Sequence, residues 1–214
     1  KKLLSEKEEK ILNEKLKDLN NGEETKINNA EEEKFLSSIG LLSIKPKIIV
    51  CNVDEENLIE GNDYTKQVKN KYPNEKIINI CADIEDQLSG LDKDEKEKFM
   101  QEIGLNKTGL NKLIKDGYDL LNLDTFFTSG PEESRAWTVR RNTSAPKAAS
   151  VIHTDFEKKF IRAETVTCED FIKYGSAEKC KENGKLRIEG KDYIVKDGDV
   201  LYFRVNSWPN LFHA

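Results

Sequence analysis

The chain has 214 residues and a mass of 24.5 kDa, room for one large domain or two small ones at the usual ~100 to 200 residues per domain. Charged residues make up 35% and mean hydropathy is -0.70, so no segment approaches the about 20 consecutive apolar residues of a membrane-spanning helix. The amino-terminal Lys1-Lys2-Leu3-Leu4-Ser5-Glu6 lacks the apolar run of a secretory leader, which makes the expected location cytoplasmic, and 36% hydrophobic residues suffice for a packed core.

Residues 1–19 place Leu3, Leu4, Ile11, Leu12, Leu16 and Leu19 at helical spacing among Glu and Lys, and Asn20-Asn21-Gly22 supplies a helix stop. The apolar stripe calls for a partner helix, because an isolated helix of this length is marginal in water. A second helix is expected from a cap at Asn28 or Asn29 through Phe35, Leu36, Ile39 and Leu42. Glu31, Glu32 and Glu33 fall in its first turn, where the helix dipole favours acids. Pro46 ends this pattern. Residues 48–53 read as a buried strand, 64–72 as a helix and 77–81 as a second strand, the alternation that builds a parallel sheet with crossover helices. Residues 92–103, capped by Asp92, and 110–121, preceded by Thr108-Gly109, read as two more amphipathic helices. Beyond residue 124, β-rich stretches at 136–140, 161–166, 193–196 and 200–205 alternate with turn signals at Ser129-Gly130-Pro131, Asn183-Gly184 and Asp197-Gly198, with a short helix at 145–153. The expected fold class is α/β followed by a compact α+β unit over 124–206.

The net charge of -5 is unevenly spread: residues 124–206 carry 15 basic and 14 acidic side chains, the residues before them 20 and 26. The carboxy-terminal part is therefore the better place for an anionic partner. Cys51, Cys81, Cys168 and Cys180 show no C-x-x-C spacing, and only His153 and His213 could add nitrogen ligands, which disfavours a zinc site or a disulfide framework.

Two polar segments follow the two strands and read as loops: Asn52-Val53-Asp54-Glu55 and Cys81-Ala82-Asp83-Ile84-Glu85. Ligands of open α/β sheets gather beyond the carboxyl ends of the strands, so adjacent loops there can wall a pocket for a flat base. The Asn52 amide has a donor and an acceptor to set against a purine edge. Guanine-reading proteins carry Asn-Lys-x-Asp at this place. Here Val53 replaces the Lys and Glu55, one methylene longer, replaces the Asp, a departure from guanine recognition. The tetrapeptide alone also fits an ordinary strand-to-helix loop with an Asn turn.

Further segments extend the pattern in order: Phe99-Met100-Gln101-Glu102-Ile103-Gly104-Leu105, Gly117-Tyr118-Asp119-Leu120-Leu121-Asn122-Leu123, Phe126-Phe127-Thr128-Ser129-Gly130, Arg135-Ala136-Trp137-Thr138, Ala145-Pro146-Lys147-Ala148-Ala149, Ile152-His153-Thr154-Asp155-Phe156-Glu157 and Glu189-Gly190-Lys191-Asp192-Tyr193-Ile194-Val195-Lys196-Asp197-Gly198-Asp199-Val200. Together they resemble the YchF family, the Obg-like ATPases, over residues 36–206. The resemblance implies a P-loop, G-type nucleotide-binding domain interrupted by a helical hairpin and followed by a β-grasp TGS domain. On that mapping residues 1–44 are a hairpin segment with a connecting helix, 45–123 the last part of the nucleotide-binding domain, 124–206 the TGS domain and 207–214 a divergent tail. It further implies ATP with Mg as cofactors, ATP preferred over GTP, base recognition by Asn52, Val53 and Glu55 with Cys81 and Ala82 beside the base, and the ribosome or structured RNA as partner, with neither membrane nor DNA.

A P-loop requires G-x-x-x-x-G-K-[ST], whose glycine amides cradle phosphates, whose Lys reaches the β and γ oxygens and whose hydroxyl ligates magnesium. The sequence contains none. Gly104-Leu105-Asn106-Lys107-Thr108-Gly109 comes nearest, but it continues as Leu110-Asn111 and falls between two expected helices. The chain thus resembles the carboxy-terminal portion of such a protein and is expected to be inactive by itself.

His153-Thr154-Asp155 suggests a catalytic dyad, but no nucleophile motif such as G-x-S-x-G accompanies it, and a structural or partner-binding role is expected. Arg135, Arg140, Arg141, Lys158, Lys159 and Arg162 could contact a phosphate backbone, with Trp137 and Phe156 available for stacking, or could form a solvated charged face. Two functions follow: part of a ribosome-associated ATP-hydrolysing regulator, or an RNA- or ribosome-binding adaptor without nucleotide chemistry.

Overall fold

Ser5 opens α1 (Glu6–Asn20) with a reciprocal cap, its hydroxyl accepting from the Glu8 amide while the Glu8 carboxylate accepts from the Ser5 amide. A computed structural model describes residues 4–23, 25–130 and 133–206. The expected helix over residues 1–19 is therefore seen from its cap onward, and the tail at 207–214 lies outside the described residues. Asn29 caps α2 (Ala30–Ser38), which is shorter than its apolar spacing suggests. Gly40 takes the left-handed conformation at φ +74, which closes the helix, and Leu42 moves into a separate 3-10 turn where it is 74% exposed. The two helices share a buried ion pair, Lys15 Nζ to Glu32 Oε1 at 2.7 Å, and the same ammonium donates to the Lys26 carbonyl at 2.7 Å.

β1 (Ile48–Asn52) and β2 (Lys76–Ile80) pair in parallel, in register from Ile48 with Lys76 to Asn52 with Ile80, as the strand, helix, strand alternation requires. The crossover holds a 3-10 turn at Glu55–Asn57 and α3 (Asp63–Lys71), capped by Asn62. Residues 82–85, read from sequence as a loop, are instead the first turn of α4 (Ala82–Ser89). Ile84 and Leu88 are the reason: one helical turn apart, they bury one face with Cys81 against Leu58, Leu91, Phe99, Met100 and Ile103. α5 (Lys93–Glu102) starts at its Asp92 cap and α6 (Gly109–Leu120) at its Thr108 cap, as expected.

Two residues after α6, Asn122 at φ +53 turns the chain into a second sheet. Its strands are β3 (Leu123–Ser129), β4 (Ser134–Arg140), β5 (Phe160–Thr167), β6 (Arg187–Glu189) and β7 (Asp199–Val205), in the order β4-β3-β7-β5-β6. β3 runs parallel to β7 and the other neighbours are antiparallel. α7 (Ala145–Ile152) and α8 (Asp155–Lys159) bring Ala145, Ala148, Ala149 and Phe156 into one core with Phe126, Val139, Phe160, Ala163 and Leu201. Between β5 and β6 lie α9 (Cys168–Tyr174) and α10 (Ala177–Glu182), which the strand-rich reading of this region did not include. Residues 193–196 are not a strand either. Lys196 donates its amide to the Asp199 carboxylate at 2.9 Å, so the segment makes only a single bridge, Ser144 with Ile194, before it turns.

Candidate functional site

The Val53 amide donates to the Ile80 carbonyl at 2.8 Å, which holds the two strand ends together one residue past the ladder and faces Asn52 toward the start of α4. A helix start leaves amides without internal partners, and Cys81 offers α4 no side-chain cap. Asn52 fills the gap from the neighbouring strand: its Oδ1 accepts from the Ala82 amide at 3.1 Å. The acceptor half of the amide is thereby committed to the protein. Nδ2, on an exposed residue, makes no hydrogen bond among the described residues, so Asn52 presents a donor rather than the donor and acceptor that the sequence suggests. Val53 is 7% exposed and packs inward, leaving only its backbone at the loop, while Glu55 stands exposed in the following turn. Cys81 is buried and Ala82 exposed. Four of the five expected base-site residues thus meet at one end of the parallel pair, with Glu55 two positions further along.

A free donor beside a helix amino terminus fits a ring-nitrogen acceptor on a purine. The phosphate and metal ends of a nucleotide have no counterpart: the sequence lacks a P-loop, and among the described residues no three His, Cys, Asp or Glu side chains stand close enough to hold a metal ion.

The string that imitates a phosphate loop has a different task. Gly104, at φ +73, closes α5, and Gly109 begins α6. α6 carries no acid in its own first turn; Glu85 of α4 supplies one, its Oε1 accepting from the Gly109 amide at 2.6 Å. Only glycine permits this approach, since a Cβ at 109 would lie 2.9 Å from Glu85 Oε1 and 3.0 Å from Ile80 Cγ1. At the other end of α6, Asp119 accepts from the Arg141 guanidinium, which also reaches Asp124 at 3.1 Å, and the Tyr118 hydroxyl lies 3.3 Å from that of Thr138. The Arg141 hydrogen bond holds the Asp119 carboxyl below the usual carboxylate range.

The six expected basic contacts divide accordingly. Arg141 is occupied by its two aspartates, Lys159 stands 3.8 Å from Asp155, and Arg162 reaches Glu164 at 3.4 Å. Arg135 lies over the Trp137 ring at 4.3 Å, and its guanidinium, like the Arg140 and Lys158 heads, has no acidic partner among the described residues. His153 ends α7, and its Nδ1 accepts from the Asp155 amide at 3.2 Å, a local turn that fits a structural role. Phe156 is buried, which removes it as a stacking platform. Sequence reading missed Glu85 and Gly109 as a pair, because their contact spans 24 positions; an α6 start without a first-turn acid was the one available signal.

The family model described as "YchF-GTPase_C: Protein of unknown function (DUF933)" matches residues 123–206. A Ribosome-binding ATPase YchF of Haemophilus influenzae is 49% identical over 173 residues, 80% of this chain and 47% of the relative, and Obg-like ATPase 1 of Pongo abelii is 42% identical over 171 residues, 78% and 43%. The solved YchF GTPase of Schizosaccharomyces pombe superposes with a TM-score of 0.73 at 30% identity, over 92% of this chain and 54% of that one. A GTP binding protein of Pyrococcus horikoshii, with a TM-score of 0.53 at 19% identity, shares the fold. The chain spans about half the length of the curated relatives it matches, and over 78 to 80% of its own length it is similar to YchF and Obg-like ATPases.

Proposed function

We propose that this chain supplies the base-recognising end of the nucleotide site, and a ribosome- or RNA-facing β-grasp TGS module, of a regulatory ATPase. The observation that carries the first half is the Asn52 amide, fixed through Oδ1 to the Ala82 amide with its Nδ2 left free for a base. Glu55 in place of Asp supports ATP over GTP. The strand order β4-β3-β7-β5-β6 with a parallel β3 and β7 supports the β-grasp assignment over 124–206, with 45–123 as the nucleotide-binding part and 1–44 as the hairpin segment. Relatives named ribosome-binding ATPases support the ribosome as partner and the cytoplasm as location. When bound, ATP with Mg would supply the phosphoryl group and its charge neutralisation. The residues here would orient the base alone, and the phosphates and the metal would be held by a P-loop half.

Because the phosphate contacts dominate nucleotide affinity, the chain by itself binds ATP weakly and does not hydrolyse it. Calorimetric titration of the chain with ATP tests this, and micromolar affinity refutes it. In a protein joining this chain to a P-loop half, Asn52→Ala weakens ATP binding by about 1 to 3 kcal/mol. Val53 is buried, so the informative swap for base choice is Glu55→Asp, which moves preference toward GTP. An unchanged ratio of ATP to GTP affinity places selectivity elsewhere.

The adaptor reading is favoured by a separate observation, the heads of Arg135, Arg140 and Lys158 in the carboxy-terminal part, which have no acidic partner among the described residues. Ribosome or RNA binding that persists in the Asn52→Ala protein and ignores ATP supports it over the ATPase reading.

A further inference from the structure

Two helices near the Asn52 loop each take a hydrogen bond at their first amide from an element further back in the chain. α4 has no side-chain cap from Cys81 and receives Asn52 from β1. α6 has no first-turn acid and receives Glu85 from α4, at 2.6 Å and without room for a side chain at 109. The far end of α6 is fastened in turn to the carboxy-terminal sheet, through Asp119 with Arg141 and through Tyr118 with Thr138. Helix ends are the softest parts of helices, so ties made there set where the helices point. Asn52, Glu85 and Arg141 therefore form one unbroken run of polar ties from the end of β1 to the end of β4.

We propose that Glu85 is the positioning residue of the Asn52 loop, and that through Glu85 and α6 this loop is coupled to the carboxy-terminal sheet. The functional meaning rests on the reading of Asn52 as a base contact. The physical content is a two-way linkage: what loosens the Gly109 amide from Glu85 also frees α4 to shift under Asn52, and frees α6 to shift under Asp119.

Amide hydrogen exchange, followed residue by residue by NMR on the whole 214-residue chain without nucleotide, tests this. In Glu85→Ala the Gly109 amide exchanges about tenfold faster, and the amides of Ala82 and Arg141 accelerate by about threefold or more. Glu85→Gln, whose side-chain carbonyl still accepts, restores most of the protection. The amides of Ile78 and Phe126, in the two cores, keep their parent rates. If Gly109 accelerates while Ala82 and Arg141 keep parent rates, Glu85 is a local cap and the coupling is refuted. Equal acceleration of the core amides refutes it as well, by showing general destabilisation. Should Glu85→Ala not fold, Asn52→Ala at an exposed position reads the linkage in reverse, and an unchanged Gly109 rate overturns it. Since no nucleotide enters the experiment, the linkage can fail while the base contact survives the titrations above, and the reverse.

Discussion

Replacing Tyr193 with Phe isolates the polar knot that holds the segment between β6 and β7. The Tyr193 hydroxyl donates to Asp199 Oδ2 at 2.6 Å, the Lys196 amide donates to the same oxygen at 2.9 Å, and Asp199 is only 3% exposed. The Tyr193 backbone carbonyl accepts from the Ala145 amide at 2.8 Å at the start of α7, a bond that Tyr193→Phe leaves in place. At neutral pH, Tyr193→Phe costs about 1.5 to 3 kcal/mol, the range for a hydrogen bond to a charged group, and the Lys196 amide keeps it toward the lower end. Burial, and then the bond to Asp199, push the Tyr193 phenol up to about 12 from an ordinary value of 10.0. The folded chain thus keeps this proton while the unfolded chain gives it up. The contribution is complete below pH 10 and is lost as pH rises from 10 toward 12. Two pH units at about 1.36 kcal/mol each set an upper bound of ~2.7 kcal/mol. The ring is partly exposed, and solvent screening reduces this to about 1 to 1.5 kcal/mol. Urea unfolding at pH 9.5 and 11.5, for parent and Tyr193→Phe, gives the value as a double difference in which the lysines cancel. Equal losses in the two proteins refute the assignment.

Glu32→Ala leaves the Lys15 ammonium covered and without its main acid, and costs about 2 to 4 kcal/mol of α1–α2 pairing, read by helical exchange protection; Lys15→Met with Glu32→Leu costs less than either single change. The Lys15 hydrogen bond lowers the Glu32 carboxyl below 4.5, so this contribution is present above that pH and fades as pH falls through the folded-state value, seen as acid loss of the same protection. Gly109→Ala forces a Cβ against Glu85 and Ile80 and destabilises by about 1 to 3 kcal/mol in urea unfolding, despite alanine's better helix propensity. Arg140→Ala with Lys158→Ala lowers the salt slope of ribosome or RNA affinity by about one unit per residue, whereas Arg141→Ala leaves the slope nearly unchanged, because Arg141 is already paired with Asp119 and Asp124. A slope decrease in Arg141→Ala equal to that of Arg140→Ala would refute that division.

Local signals in the sequence determined most elements and their starts. Ser5, Asn29, Asp92 and Thr108 cap where side chains of their type accept from amides two or three residues on, and two β-branched runs flanking one helix pair in parallel because the crossover leaves no other short route. Ordered segments such as Asn52-Val53-Asp54-Glu55 and Ala145-Pro146-Lys147-Ala148-Ala149 also sufficed to indicate the family. What the sequence left open involves partners distant along the chain. Nothing local distinguishes Glu32, buried against Lys15, from exposed Glu31 and Glu33, or Arg141, which spans α6 and β3, from exposed Arg140. Residues 82–85 look like a polar loop until Ile84 and Leu88 find a core to bury in, and residues 193–196 look like a strand until Asp199 draws the Lys196 amide out of the ladder. The Asn52 amide shows the same division: its type and place after a strand can be read directly, but only the folded chain sets Oδ1 against the Ala82 amide, 30 positions away, and so leaves it a donor alone. Caps and periodicities are short-range and recur wherever their residues do, whereas the partner of a charge or an amide is chosen by the packing of elements that no stretch of a few residues encodes.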